Sequence, residues 1–277
     1  MKKNLIIIGK KSFIGSNIFK ILKNKKKISI FTFKDFMKLS KKEIKNFKYI
    51  CNCTVNKKNV YNKYNSKIDY DVKISKKIQN IDVNYIFLSS RKVYKPRINT
   101  SEEHQIKPID IYARNKFIAE KILKKKLKSK LLILRISNVI GLKIFKNPRQ
   151  VHATFFDNYL EMVRNERKHK FHNFYKDFIS IEQLSKIFLL ILNKKMNGIY
   201  NVSLGKKVST KEMVNWLETY NKKKNQFFYK KTNKTIQKKH SFSLNNSKLQ
   251  NEIKFRPKKT DLKKFCIKLS KTIHQSF

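Results

Sequence analysis

The chain opens on the apolar run Leu5-Ile6-Ile7-Ile8, closed by Gly9 and followed by a stretch whose apolar residues recur at helical spacing. This alternation of short apolar runs with amphipathic segments continues through the first half. Strands are expected at Leu5–Ile8, Ile28–Phe33, Tyr49–Cys53, Tyr85–Ser89 and Leu131–Ile136, with helices at Ile14–Leu22, Ile68–Ile78 and Ile111–Leu123. Strand-length apolar runs separated by helical periods indicate βαβ units around a parallel sheet covered on both faces. The pattern predicts an α/β chain with a doubly wound parallel sheet.

Beyond Gly141 the periodicity loosens. "VHATFFDNYLEMVRNE" is helical, "KFHNFYKDFIS" extended and aromatic, "IEQLSKIFLLILN" helical again, and "GIYNVS" a short strand. In "STKEMVNWLETY" Ser209 is placed as an N-cap with Glu212 three positions on, the spacing of a capping box. "LNNSKLQNEIKFRP" leads into a helical tail. The division expected is a sheet domain over 1–141 and a small C-terminal α/β lobe over 142–277, some of whose elements return to the first domain.

Composition changes this picture little. Apolar residues make up 40% of the 277, so the chain can bury a large core and is not a disordered polycation. No apolar stretch approaches the ~20 residues of a membrane span, so no membrane partner is expected. "MKKNLIIIG" resembles a short signal peptide but lacks a small-residue cleavage site, and the glycine turn follows at once. It reads as a first strand in a cytoplasmic protein. Cys51, Cys53 and Cys266 lack paired C-x-x-C spacing, and the neighbouring His169 and His172 have no acidic cluster beside them. Neither a disulfide framework nor a metal site is expected.

The formal charge of +49 asks for a reason. A polycation attracts nucleic acid and other polyanions. The excess, however, is mostly Lys spread along the whole chain, accompanied by abundant Asn, Ile, Phe and Tyr. Those residues share A/T-rich codons, and a selected nucleic-acid surface shows a localised basic stripe instead. Codon bias is the preferred reading, and nucleic acid is not expected as a partner.

Three short stretches carry candidate chemistry. Gly9-x-x-Ser12-x-x-Gly15 directly follows the first strand, where small residues let backbone N–H groups and a helix N-terminus face a pyrophosphate. A strand then runs into Ser89-Ser90, which puts a hydroxyl at the C-terminal end of the sheet, where open α/β sheets bind ligands. In "IYARNKFIAEKIL", Tyr112 and Lys116 are four apart and share one helix face. An ammonium one turn from a phenol favours its ionised form and makes it a usable proton carrier near neutrality. Each stretch alone has a bland reading, as a strand–helix corner, a turn cap or a solvated Lys. Their order along the chain does not.

In that order the three resemble the extended short-chain dehydrogenase/reductase superfamily, NAD-dependent epimerase/dehydratase family, in layout most similar to nucleotide-sugar 4-ketoreductases. "LRISNVIG" resembles the family's R-x-x-N-x-x-G through Arg135, Asn138 and Gly141, and "KDFISIEQL" a later segment through Asp177 and Phe178. The resemblance implies a Rossmann-like NAD(P)-binding domain over 1–141 and a substrate-binding lobe over 142–277. It implies a pyrophosphate turn of Gly9, Ser12, Phe13, Ile14 and Gly15. Tyr112 would be the catalytic acid/base, Lys116 would bind the nicotinamide ribose and support Tyr112, and Ser90 would orient the substrate oxygen. Asn138 would contact the substrate's phosphates or sugar.

Three departures refine the expectation. Arg91 and Lys92 stand where the family's dehydratases carry an acidic pair, which argues against 4,6-dehydration. The segment between the second strand and "YICNC" is short, as in 4-keto-sugar reductases. Asp71 stands where many relatives carry Asn. At the end of the second strand, Thr32 or Phe33 occupies the position of the ribose-binding acid, followed by Lys34, with Asp35 slightly late. A cation there favours the additional phosphate of NADP, so Lys34 is a cofactor-binding candidate and NADP is preferred to NAD. The resulting expectation is a nucleotide-sugar 4-keto reductase, with an epimerase of the same family as the alternative. A polyanion-binding or NADP(H)-sensing protein without turnover is the competing class. By resemblance, a homodimer would form through the helix bearing Tyr112 and its neighbour.

Overall fold

Five parallel strands stand where the apolar runs put them: β1 (Lys3–Ile8), β2 (Ile28–Phe31), β3 (Phe47–Asn52), β4 (Asn84–Ser90) and β5 (Leu131–Ile136). They are seen in a computed structural model that describes residues 3–145, 154–165, 170–222, 228–230 and 234–275. A sixth strand, β6 (Gly198–Val202), pairs in parallel with β5, and the sheet runs in the order β6-β5-β4-β3-β1-β2. Since β2 and β3 flank β1 on opposite sides, the winding reverses between β1 and β3. Such a switch point leaves a crevice at the strands' C-terminal ends.

The strands are apolar throughout because both faces are covered. Leu5 and Ile7 point into one core with Ile18 and Leu22 of α1 (Phe13–Leu22). Ile6 and Ile8 point into the other with Ile74 and Ile78 of α2 (Tyr70–Ile78) and Ala119 and Leu123 of α3 (Ile111–Leu127). A fourth helix, α4 (Ile181–Ile191), packs beside α1 through Leu184 and Ile187. The architecture is thus the Rossmann-like doubly wound α/β class.

Two elements depart from expectation. β2 ends at Phe31, two residues early, because Thr32 becomes an N-cap whose hydroxyl accepts from the Asp35 N–H. The chain then forms the short helices Phe33–Lys38 and Lys41–Lys45 and reaches β3 without an intervening strand. In the C-terminal lobe Ser209 caps Thr210–Leu217 as predicted, but the box does not close. The Glu212 carboxylate instead pairs with Lys259 at 2.8 Å.

Short strands beyond β5 pair outside the six-stranded sheet. Asn138–Ile140 continues from β5 and pairs with Phe178–Ser180, while Tyr175–Lys176 pairs with Val208–Ser209. The helix at Phe155–Arg164 is closed by a Thr154/Asp157 capping box. Val151, His152, Ala153, Glu166 and His169 lie outside the described residues. No helix among the described residues is long and apolar enough to cross a membrane.

Candidate active site

The turn after β1 works without its middle glycine. Gly9 has φ of +132°, and a Cβ there would meet Ser12 Oγ at 2.6 Å. Gly15 lies in the first turn of α1, where a Cβ would meet Ser12 Oγ at 2.6 Å and the Gly9 carbonyl at 2.8 Å. Ser12 itself sits at φ −78° and ψ 148°, which any L-residue adopts. Its Oγ donates to the Gly9 carbonyl at 2.8 Å and accepts from the Gly15 N–H at 3.1 Å. The hydroxyl therefore tightens the turn and caps the helix.

The first-turn N–H groups of Phe13 and Ile14 have no intrahelical acceptor, and no acidic residue stands in this turn. Together with Lys10 and Lys11 they line a pocket of about 540 Å³ at the switch point. Orphan donors, a helix N-terminus and two cations suit a pyrophosphate, so the residues present fit a dinucleotide. Gly15→Ala is expected to destabilise the fold by about 1–3 kcal/mol through overpacking and to weaken dinucleotide binding sharply. A thermal melt paired with a fluorescence titration of NADPH measures both effects.

The second wall is built by β4 and α3. Ser90 ends β4, and its Oγ accepts from the Lys92 N–H at 3.2 Å, which leaves its own O–H to donate. Asp110 caps α3 through the Ala113 N–H at 2.8 Å and pairs with Lys92 at 2.9 Å, fixing the helix start against the turn after Ser90. Ser90, Tyr112 and Lys116 consequently line one cleft of about 630 Å³. That cleft and the dinucleotide pocket share eight lining residues, Tyr112 and Val139 among them. The two cavities adjoin along this shared wall, which includes Tyr112.

Lys116 is held as a cation. Burial acts to lower its pKa, but Tyr112, Asp71, Asp69 and Glu120 together outweigh burial and leave it above the ordinary lysine value. Its Nζ lies 4.6 Å from the Phe87 ring centroid. Asp71, the departure noted in the sequence, is buried at the start of α2 and accepts from Tyr85 Oη at 2.6 Å and Asn52 Nδ2 at 2.9 Å. Burial raises its pKa, while the Lys116 ammonium acts to lower it.

The other sequence candidates divide between site and scaffold. Asn138 lines the cleft, where its Nδ2 donates to the Asp177 carbonyl at 3.2 Å. Asp177 is buried and accepts from the N–H groups of Leu204 and Leu244, a structural staple whose pKa burial pushes up to about 7. Lys34 is exposed beside Thr32 and Phe33, which line the dinucleotide pocket. Gly141 lies along that pocket, and its bare Cα is needed because a Cβ would meet Ile181 Cγ2 at 2.8 Å.

Arg135 lies outside the cleft, fully buried beneath it. It forms a fork to Glu120 of α3 (Nε–Oε1 3.1 Å, Nη2–Oε2 2.6 Å), and its Nη1 donates to Tyr94 Oη at 2.7 Å. Ser89, next to Ser90, donates to the same Glu120. Glu120 follows Tyr112 and Lys116 on one face at successive four-residue steps, so this buried pair ties that face of α3 to β5. The sequence reading missed Glu120 and Asp110; the four-residue spacing after Lys116 and the acid just ahead of the helix were the available signals.

A doubly wound sheet, a glycine turn at its switch point and a Ser–Tyr–Lys wall define the dinucleotide-dependent dehydrogenase class. Residues 5–203 match the NAD dependent epimerase/dehydratase family, and the chain belongs to that family. Among solved structures it is similar to a UDP-N-acetylglucosamine 4-epimerase from Methanobrevibacter ruminantium in complex with UDP-N-acetylmuramic acid (21% identity, 100% of each chain, TM-score 0.78). It is also similar to a UDP-glucuronic acid 4-epimerase from Bacillus cereus in complex with NAD (14% identity, 99% and 100% coverage, TM-score 0.73). A third is a dTDP-glucose 4,6-dehydratase from Bacillus anthracis in complex with NAD (14% identity, 99% and 97% coverage, TM-score 0.75). At these identities the likeness is one of fold.

Proposed function

We propose that the chain is an NAD(P)-dependent oxidoreductase acting on C4 of a nucleotide-activated sugar, in the sense of a 4-keto-sugar reductase. The observation that carries the reading is the adjacency of the two cavities: Tyr112 lines both, and Ser90 and Lys116 join it in a second cleft large enough for a sugar. A bound nicotinamide supplies hydride to the sugar carbon. Tyr112 delivers the proton to the adjoining oxygen, Ser90 donates a hydrogen bond that orients that oxygen, and Lys116 stabilises the phenolate left behind. Asn138 offers its amide oxygen to the sugar.

Reduction rather than epimerisation is supported by the end of β2. Asp35, the nearest carboxylate, accepts from Thr32 Oγ1 at 2.6 Å and so serves its own helix cap. Lys34, exposed alongside, suits the additional phosphate of NADP, the cofactor of a net reduction. Epimerisation with NAD is the second reading, favoured by the 4-epimerases that match end to end. Arg91 and Lys92 follow Ser90 directly, and neither can serve as the acid/base pair of a dehydratase.

Titration with NADPH and NADH at physiological and high salt, with short RNA as competitor, tests the cofactor site. NADPH is expected to bind about tenfold tighter than NADH, with Lys34→Glu reversing the order, as one charged contact to phosphate warrants. A 4-keto nucleotide sugar should then consume NADPH stoichiometrically. Interconversion of C4 epimers with no net consumption would establish the epimerase reading instead. Salt-labile binding of every polyanion alike would overturn both.

A further inference from the structure

The chain has three free thiols, and two of them meet at the dinucleotide pocket. Cys51 lies in β3 and Cys53 directly follows it, so the two side chains leave the same face of the sheet. Their Sγ atoms are 3.8 Å apart. The Cys53 N–H donates to the Ile8 carbonyl at 2.7 Å and so continues the pairing with β1. The surroundings of the two sulfurs differ. Cys51 is fully buried in the core, opposite Ile7, and burial pushes its pKa up and holds it as a thiol. Cys53 is partly exposed and lines both cavities, so it is the thiol that a reagent entering the pocket meets. Cys53 also packs under the glycine turn. A Cβ on Gly9 would lie 3.2 Å from the Cys53 Cβ, and one on Gly15 would lie 3.1 Å from it.

We propose that Cys51 and Cys53 form an oxidisable dithiol, a modification site that peroxide closes to a disulfide, and that closure weakens dinucleotide binding. The proposal concerns the dinucleotide pocket and holds whichever sugar reaction follows. Cys53, as its thiolate, attacks the peroxide: an S–O bond forms, the O–O bond breaks, and the departing hydroxide takes up the Cys53 proton as water. The Cys51 sulfur then attacks the Cys53 sulfenic sulfur. The S–S bond forms, the S–O bond breaks, and a second water carries away the Cys51 proton. The bridge brings the sulfurs about 1.8 Å closer than they stand. Residues two apart in an extended strand have Cα atoms about 6.6 Å apart, near the upper limit for a disulfide, so closure bends the chain at Asn52. Asn52 Oδ1 accepts from the Thr54 N–H at 3.0 Å and from Thr54 Oγ1 at 2.7 Å, and its Nδ2 donates to Asp71 at 2.9 Å. Thr54 lines both cavities. A bend at Asn52 therefore displaces a wall of the pocket and moves Cys53 against the turn that faces the pyrophosphate.

Treatment of the whole chain with stoichiometric hydrogen peroxide, then alkylation of the remaining thiols and peptide mass mapping, tests the bridge. The peptide holding Cys51 and Cys53 is expected to lose two hydrogens and to regain them with dithiothreitol, while Cys266 is alkylated. With peroxide removed, the bridged chain should bind NADPH at least about fivefold more weakly than the reduced chain, the low end of a coupling between linked sites. Saturating NADPH should in turn shift the pair toward its reduced form in a glutathione redox buffer. Cys51→Ala should stop the reaction at one oxygen added to Cys53, and Cys53→Ala should leave Cys51 unreacted. The wild-type masses decide the question even where a variant fails to fold. Two alkylated thiols at Cys51 and Cys53 after peroxide, or a bridge to Cys266 or between chains, overturns the proposal. So does a bridged chain that binds NADPH as tightly as the reduced one. A reduced chain that binds no NADPH overturns the dinucleotide reading instead, and the coupling with it.

Discussion

Tyr112→Phe is expected to lower kcat about 10²- to 10⁴-fold, the usual worth of a positioned proton carrier. It should weaken cofactor binding only about threefold, the worth of one neutral hydrogen bond. The argument is geometric. Tyr112 lines both cavities, and among the residues they share it carries the phenol that can exchange a proton. Removing that oxygen leaves the ring in place, and the support beneath it is untouched. Asp71, Asp69 and Glu120 still favour the Lys116 ammonium, and Ser90 stays on its turn through the Lys92 N–H. Only the proton route is lost. Single-turnover kinetics with saturating cofactor measures the step directly. Activity that survives the substitution would mean that Tyr112 carries no proton, and would favour a cofactor sensor over an enzyme.

The parts of this site that could be read from sequence are those whose geometry is local. Four-residue spacing puts Tyr112 and Lys116 on one helix face whatever else the chain does. An apolar run into Gly9 makes a strand and a turn by itself, and Ser90 ends a strand because the apolar run stops there. Thr32 was ambiguous for a physical reason: threonine is both a good strand residue and a good N-cap, and the Asp35 N–H three positions on decided for the cap. The Ser209 box failed to close because Lys259, far along the chain, competes for Glu212. Lys176 could not be assigned to the cleft from the sequence of so lysine-rich a chain. It lines the cleft from a strand, Tyr175–Lys176, whose place is fixed by pairing with the distant Val208–Ser209.

Arg135→Met is expected to lower the free energy of unfolding by about 3–5 kcal/mol, since it leaves the Glu120 carboxylate buried without its partner. Arg135 and Glu120 are both 2% exposed or less, and water cannot replace the missing guanidinium. Tyr94 Oη and the Ser89 hydroxyl point into the same buried site, so the loss spreads from β5 to β4 and α3. Glu120 also sits two turns along α3 from Tyr112, so a helix that shifts to rehydrate its carboxylate takes Tyr112 with it. The double variant Arg135→Met/Glu120→Met separates charge from packing: with no charge left unpaired, most of the lost stability should return. Urea unfolding midpoints of the two variants and the wild type make the comparison. A cost below about 1 kcal/mol for Arg135→Met, the scale of a solvated surface pair, would show that α3 is held by its apolar face alone. The expected order is wild type near the double variant and both well above Arg135→Met. Such an order makes the buried fork a device for registering Tyr112 on the sheet rather than a large source of net stability.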